Sequence, residues 1–490
     1  MAYLLGIDIG SSSVKAALMD AQSGKCVGSA SFPETEMKIG TPEPGFAEQD
    51  PELWYKYAKK SVHKAMELAG ASPEDVKAVG IAYQMHGLVC VDSAQNVLCP
   101  ANIWCDSRAV PFGEKAFLEI GEEKCLGGLL NSPGNFTASK LAWIKENQPE
   151  IFAKVDKILL PGDWLAMKLT GKATTTVSGL SEGMFWDFEK EQVADFLMDY
   201  YGFSPDVLGE IVPTFGNQGE VTEFAAAEFG LAAGTPVSYR AGDQPNNAFS
   251  LNVLKPGEVA ATAGTSGVIY GVSGNRSYDP KSRVNSFAHV NHTKDDVHVG
   301  ILLCINGTGI LNAWTKRLMG DLSYNEMNDL AKTAPIGSGG ITVLPFGNGA
   351  ERVLENREVG AQICGLDFNR HDRSHICRAI QEGIVFSLMY GFEVMREMGM
   401  GASKIRAGAA NLFQSEVFCE TLAGVSGAKI ELYETDGALG AARGAGLGAK
   451  VFADTEEAFE NLELRGEISP KEGPYVEAYL KWKNHLQQAV

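Results

Sequence analysis

Two acids and two glycine turns carry the chemistry that this chain suggests. Asp243 lies in Tyr239-Arg240-Ala241-Gly242-Asp243-Gln244-Pro245, at the end of an apolar stretch and before a helix expected from Asn246. An acid at the carboxyl end of a strand stands where open α/β sheets place ligands. Such an acid can accept the proton of a hydroxyl that attacks a phosphate. The same position also suits a helix cap. Asp8 precedes Gly10-Ser11-Ser12-Ser13, and a second turn, Ala263-Gly264-Thr265-Ser266-Gly267, repeats the pattern. Each turn sits between apolar stretches and reads as strand, turn, strand. Glycine there lets backbone amides approach a phosphate, and Asp8 can hold magnesium directly or through water. Either turn alone is also an ordinary hairpin, but two of them suggest two related lobes with a nucleotide in the cleft between.

Polar residues follow other predicted strands. Gln84-Met85-His86-Gly87 follows Val79–Tyr83, and His86 can hydrogen-bond a polyol. Trp104-Cys105-Asp106-Ser107-Arg108 joins an aromatic face to charged groups, as sugar sites do. It also fits a buried tryptophan beside a surface ion pair. Ala407-Gly408-Ala409-Ala410-Asn411 offers small residues against which an adenine or ribose could pack, or close helix–strand packing. Asp436 heads a small-residue helix as its cap. His371 and His375 are four apart without the companions of a zinc site, and read as a solvated helix start.

The elements that must position these residues alternate. Val76–Ala82, Ile158–Leu160 and Val237–Ala241 read as strands, with helices over 52–69, 139–146 and 220–229. Asp50-Pro51-Glu52 has the form of a helix start. The second half repeats the theme, with strands near 297–304, 341–344, 405–407 and 429–433 and helices near 310–319, 371–398 and 415–423. Leu254-Lys255-Pro256-Gly257 marks a boundary. Two α/β lobes are expected, 1–248 and 249–490.

Composition narrows the class. With 490 residues, 45% apolar and 21% charged, the chain is too long for one core and otherwise ordinary for a globular protein. A net charge of −19 argues against nucleic-acid or anionic-membrane partners. Phosphates would need local amides, a few cations and a metal ion. The nine cysteines have no Cys-x-x-Cys spacing and read as reduced thiols of a cytoplasmic protein. No apolar run is long enough for a membrane span, and the start lacks the basic segment of a signal peptide.

Together these elements resemble the FGGY family of carbohydrate kinases, from Leu5 to about Ala449. Asn135-Phe136-Thr137-Ala138-Ser139-Lys140-Leu141-Ala142-Trp143 is close to a family signature, as is Gly365-Leu366 followed by His375-Ile376-Cys377-Arg378-Ala379-Ile380. Within the family, Gln84–Gly87 and Ala101–Arg108 are most similar to the xylulokinases. Glycerol kinases carry Arg-Glu where Met85-His86 stands. The resemblance implies two duplicated ribonuclease-H-like lobes of the actin and hexokinase type, and ATP with Mg2+. It implies phosphorylation of a ketopentose, D-xylulose first, with Asp243 as base. It assigns Asp8 to the metal and Gly10, Ser11, Ser12, Gly264 and Thr265 to the phosphates. Gly408, Ala409 and Asn411 fall at the adenosine. Met85, His86, Gly87, Trp104, Asp106, Asp243 and Gln244 fall at the sugar. It also implies a homodimer. Three segments depart from the pattern: Arg240-Ala241-Gly242-Asp243-Gln244 for Gly-Gly-Gly-Asp-Asn, Gly349-Ala350-Glu351-Arg352-Val353 for Gly-Glu-Arg-Thr-Pro, and an alanine-rich adenosine loop. These changes leave the kinase residues in place and reopen the choice of sugar, among them ribulose, ribitol and gluconate. A sugar sensor that has lost catalysis is the rival from another class.

Overall fold

In the computed structural model, which describes Met1–Val490, both glycine turns join antiparallel strands. Tyr3–Ile9 pairs with Val14–Asp20, Asp8 standing opposite Lys15. Val259–Ala263 pairs with Gly267–Ser273. Around each hairpin the sheet grows in the same way. On one side Tyr3–Ile9 takes Val76–Tyr83 as a parallel neighbour, which in turn takes Val237–Gly242. On the matching side Val259–Ala263 takes Lys404–Gly408, and that takes Lys429–Tyr433. The first sheet has five strands and the second has seven. The duplication is therefore plain in strand order, although the two halves share little sequence.

The chain divides into two compact units that interleave. One holds Met1–Asn252, Phe287–Val299 and Thr435–Leu462; the other holds Val253–Ser286, Gly300–Glu434 and Glu463–Val490. Each has its own apolar core. In the first, Leu5, Ile7, Val79, Ile81 and Trp164 are buried with Trp54 of the helix Pro51–Ala69. In the second, Val259, Ile301, Leu303, Ile380 and Trp482 are buried together.

Local chemistry explains the helices that matter. Asp50 caps Pro51–Ala69 through Glu52 N, as the sequence suggests, a contribution of about 1 kcal/mol. Asp436 caps Gly437–Gly448 through Leu439 N. The small residues of this helix let it lie directly on the first sheet. A Cβ on Gly6 would sit 1.8 Å from Ala438 O, and one on Gly80 2.0 Å from Ala441 O. Asp243 departs from the cap reading. The cap is Gly242, without a side-chain bond, and Asp243 is the first residue of the helix Asp243–Ser250, three residues earlier than expected. Its carboxyl stands one residue inside the cap position, in the first turn, where hydrogen bonds from Gln244 reach it. No helix is long and apolar enough to cross a membrane.

Candidate active site

The first turn is closed by Gly10 N donating to Ser13 O at 3.0 Å. Asp8, half-buried, projects from the strand before it toward the start of the Gly437–Gly448 helix. A Cβ on Gly437 would lie 2.2 Å from Asp8 Oδ2, so only glycine leaves the carboxyl its place. Burial raises the Asp8 carboxyl to about 6, the charge of Asp436 adds to the rise, and Lys15 opposes it. Lys15 donates to Asp436. Burial disfavours the Lys15 ammonium, but Asp436 outweighs that and the net shift is upward.

Asp243 belongs to the same recess. Burial raises its carboxyl to about 7, and the Asp8 charge raises it further, against hydrogen bonds from Gln244. An acid held near neutrality is suited to accepting a proton at physiological pH. Behind it, a Cβ on Gly242 would meet Glu182 Oε2 at 2.4 Å and Met85 Cγ at 2.7 Å. Glu182 is buried. Burial pushes its carboxyl well up, and the charges of Asp163 and Asp243 act in the same direction. Arg240, also buried, pairs with Asp163 at 2.8 Å and donates to Thr174 Oγ1 at 3.0 Å.

The two loops expected at the sugar lie in the same unit. His86 has φ of 60°, the left-handed region that a non-glycine residue enters only when held there. Its Nδ1 is 3.1 Å from Glu182 O. A carbonyl only accepts, so Nδ1 carries the proton. The ring lies edge-on to Phe136, with centroids 4.7 Å apart, and 5.2 Å from Phe287. Met85 is buried against Gly242. Gly87 is pressed against Pro161, where a Cβ would be 2.7 Å away. On the second loop the structure reverses the plain reading of a buried tryptophan beside a surface ion pair. Trp104 is 40% exposed, and the ion pair is what is buried. Asp106 is 2.7 Å from Arg108 and accepts from Ala47 N at 2.7 Å, so its oxygens are already occupied. Arg108 also reaches Glu48 at 2.6 Å and stacks on Phe46 at 3.6 Å. Asp106 thus shapes its loop from beneath.

In the other unit, Gly264 and Thr265 sit against the start of the helix Thr308–Leu318. Gly309 N donates to Thr265 O at 3.1 Å, and a Cβ on Gly309 would lie 2.3 Å from Gly264 O. Asn411, with φ of 53°, brings its amide close to Gly264. Gly408 ends its strand, Ala409 N donates to Tyr433 O at 2.9 Å, and Asn411 is exposed beyond them. The second glycine turn and the loop expected at the adenosine are therefore neighbours. Glu351, in the departed segment, accepts from Asn306 N at 3.1 Å, and burial raises it to about 7.

Several of these residues escaped the sequence reading. Glu182 ends a short helix and looks like a solvated acid. Lys140 is hidden in a motif without a stated role. Lys15 and Asp436 are 421 residues apart. No group of three or more histidines, cysteines or acids forms a ready metal cage. Asp8, with the charge of Asp436 acting on it and its own charge acting on Asp243, is the position a hard cation would relieve. All nine cysteines are free, and His375 pairs with Asp372 at the start of its helix.

Comparison with known proteins agrees with this geometry. Residues 3–250 match the N-terminal domain of the FGGY family of carbohydrate kinases, and residues 259–449 match its C-terminal domain. The chain is 30% identical to the xylulose kinase of Escherichia coli (strain K12), over 94% of this chain and 92% of that one. It is 29% identical to the xylulose kinase of Haemophilus influenzae, over 99% of each. A crystal structure titled a xyloylose kinase from Brucella ovis superposes with a TM-score of 0.89 at 25% identity, covering 99% of each chain. Plasmodium falciparum glycerol kinase with ADP shares the fold, with a TM-score of 0.88 at 20% identity over 100% of this chain and 98% of that one. Matched by the family's two domains along both halves, the chain belongs to the FGGY family of carbohydrate kinases.

Proposed function

We propose that this enzyme transfers the γ-phosphoryl group of ATP to the terminal hydroxyl of a ketopentose, D-xylulose, giving D-xylulose 5-phosphate and ADP. The observation that carries the reading is the recess in which Asp243, raised to about 7, stands beside Asp8 and one residue from Gly242, against which Met85 of the sugar loop packs. Asp243 accepts the proton as the hydroxyl oxygen bonds to the γ-phosphorus. The bond from that phosphorus to the ADP oxygen breaks in the same displacement. Amides of the turns at Gly10–Ser12 and Gly264–Thr265 hold the phosphates, and Gly408, Ala409 and Asn411 hold the adenosine. Mg2+ at Asp8 supplies charge neutralisation for the phosphates and for the clustered acids. Met85, His86, Gly87, Trp104 and Gln244 contact the sugar, with Asp106 shaping the loop beneath it. The free thiols suit the cytoplasm, and the family resemblance supports a homodimer.

A second sugar has one feature in its favour. Arg240 and Gln244 replace the family's glycine and asparagine around the base, which changes the volume and donors beside the acceptor. Another ketose or polyol, such as ribulose, ribitol or gluconate, is the alternative within the same chemistry. Asp243→Asn tests the base directly. It keeps the shape of the side chain and removes its basicity. The expected result is a kcat lower by about three orders of magnitude or more, with ATP binding unchanged. An Asn variant with near-normal turnover removes Asp243 from the mechanism.

A further inference from the structure

Lys140 is among the most buried side chains of the protein, wholly shielded from solvent within the helix Thr137–Asn147. A buried ammonium is costly unless its donors are satisfied. Its Nζ finds two backbone carbonyls, His86 O at 2.8 Å and Ile103 O at 2.9 Å. These belong to the two separate loops assigned above to the sugar. The loops also meet directly, Leu88 N donating to Asn102 O at 2.9 Å, and Lys140 bridges them a second time from behind. The His86 turn follows the strand Val76–Tyr83, and Ile103 precedes Trp104 on an irregular segment.

The residues around Lys140 act on the same backbone. Thr137 Oγ1 donates to Gly87 O at 3.3 Å, and Asn135 Nδ2 donates to Asp106 O. Trp143, from the same helix, lies 4.8 Å from the Arg108 guanidinium that binds Asp106. One nine-residue segment, Asn135–Trp143, therefore fastens both loops from behind. His86 itself holds a left-handed backbone, which persists only when neighbours over-determine it.

We propose that Lys140 is a positioning residue of the acceptor-sugar pocket: by donating to the His86 and Ile103 carbonyls at once, it locks the Met85–His86 turn to the Trp104 loop and fixes the gap in which the sugar is held. This rests on the reading of those loops as the sugar pocket. Lys140 touches neither sugar nor nucleotide, so its effect is on sugar affinity and loop order, with the nucleotide side untouched. The Asn135–Trp143 motif gains a physical purpose by this account. Its lysine needs length, burial and two donors.

The test uses Lys140→Met in the full chain, which keeps the volume and removes the donors. Removing the ammonium leaves no unpaired buried acid, since Asp106 keeps Arg108, so folding is expected. Hydrogen–deuterium exchange without sugar is expected to speed up about tenfold over 84–88 and 101–108, with 243–250 unchanged. With the best sugar of a substrate panel, KM for the sugar is expected to rise about tenfold while KM for ATP stays within about twofold. Unchanged exchange with an unchanged sugar KM overturns the proposal. So does a parallel rise in both KM values, which marks a merely structural lysine. If Lys140→Met does not fold, Thr137→Val removes a single donor to Gly87 O. A rise of about threefold in sugar KM is then expected, and no rise overturns the proposal. Rigid loops in Lys140→Met with D-xylulose as substrate reject Lys140 and keep the proposed function. Loosened loops with a different best sugar do the reverse. If the wild type turns over no sugar, the exchange result alone decides.

Discussion

Asp243 and Asp8 share a recess in which burial is the largest influence on both, and each keeps its proton to a higher pH than a free carboxyl does. Two outcomes follow. The base works only when ionised, so kcat/KM is expected to fall about tenfold per unit below pH 7 and to level off above it. A pH–rate profile without a limb between about 6 and 8 contradicts a base raised to about 7. Stability runs the other way. The folded protein holds a proton on Asp243 that the unfolded chain releases from 3.8 upward, so the contribution of this group falls as pH rises from 3.8 to about 7. Asp243→Asn is therefore expected to melt about 2 °C higher than wild type at pH 7.5 without ligands. A lower melting temperature refutes the claim that its charge is unwelcome in the fold. Asp243 was legible in the sequence because a strand end and a following turn single out an acid. Glu182 was not, because nothing local distinguishes it from a solvated helix end. Only the structure places it against Gly242. Trp104 and Arg108 show the opposite limit: which of them is buried depends on Phe46, Glu48 and Trp143, distant in sequence.

Among the elements, the helix Gly437–Gly448 does the most positioning for the least side-chain mass. Its small residues were legible as close packing, and Asp436 as its cap. Its seat on the sheet through Gly6 and Gly80 was not, because the segments are hundreds of residues apart. A methyl at Gly80 would meet the Ala441 carbonyl at 2.0 Å, and backbone cannot yield as a flexible side chain does. Gly80→Ala is expected to cost about 2 kcal/mol of stability in denaturant unfolding, with sugar and ATP KM preserved at low temperature. A neutral substitution there denies the close seat. Gly437→Ala is a different case. Its methyl would displace the Asp8 carboxyl, so kcat is expected to drop about tenfold or more. Strand and helix positions elsewhere followed the sequence within a few residues. The start of the helix at Asp243 came three residues early, since the glycine cap before it carries no side-chain signal.

For the whole molecule, duplication is written in topology: a hairpin, a parallel strand beside it and another beyond, twice over. The turns themselves were legible, because glycine and hydroxyl residues between apolar strands announce them. The interleaving of Thr435–Leu462 with the first unit was not, because a single cut in the sequence describes neither unit. The net charge of −19 remains a constraint on any nucleotide-binding account. Phosphate must be held by turn amides, by the few local cations and by a metal ion, and charge attraction over long range cannot assist. The most direct measurement is ADP release from magnesium-ATP, coupled to a reporter. The panel is D-xylulose, D-ribulose, L-ribulose, L-xylulose, ribitol, glycerol and gluconate. The prediction is sugar-dependent turnover with the highest kcat/KM for D-xylulose. ATP binding with no sugar-stimulated release from any of them would contradict it.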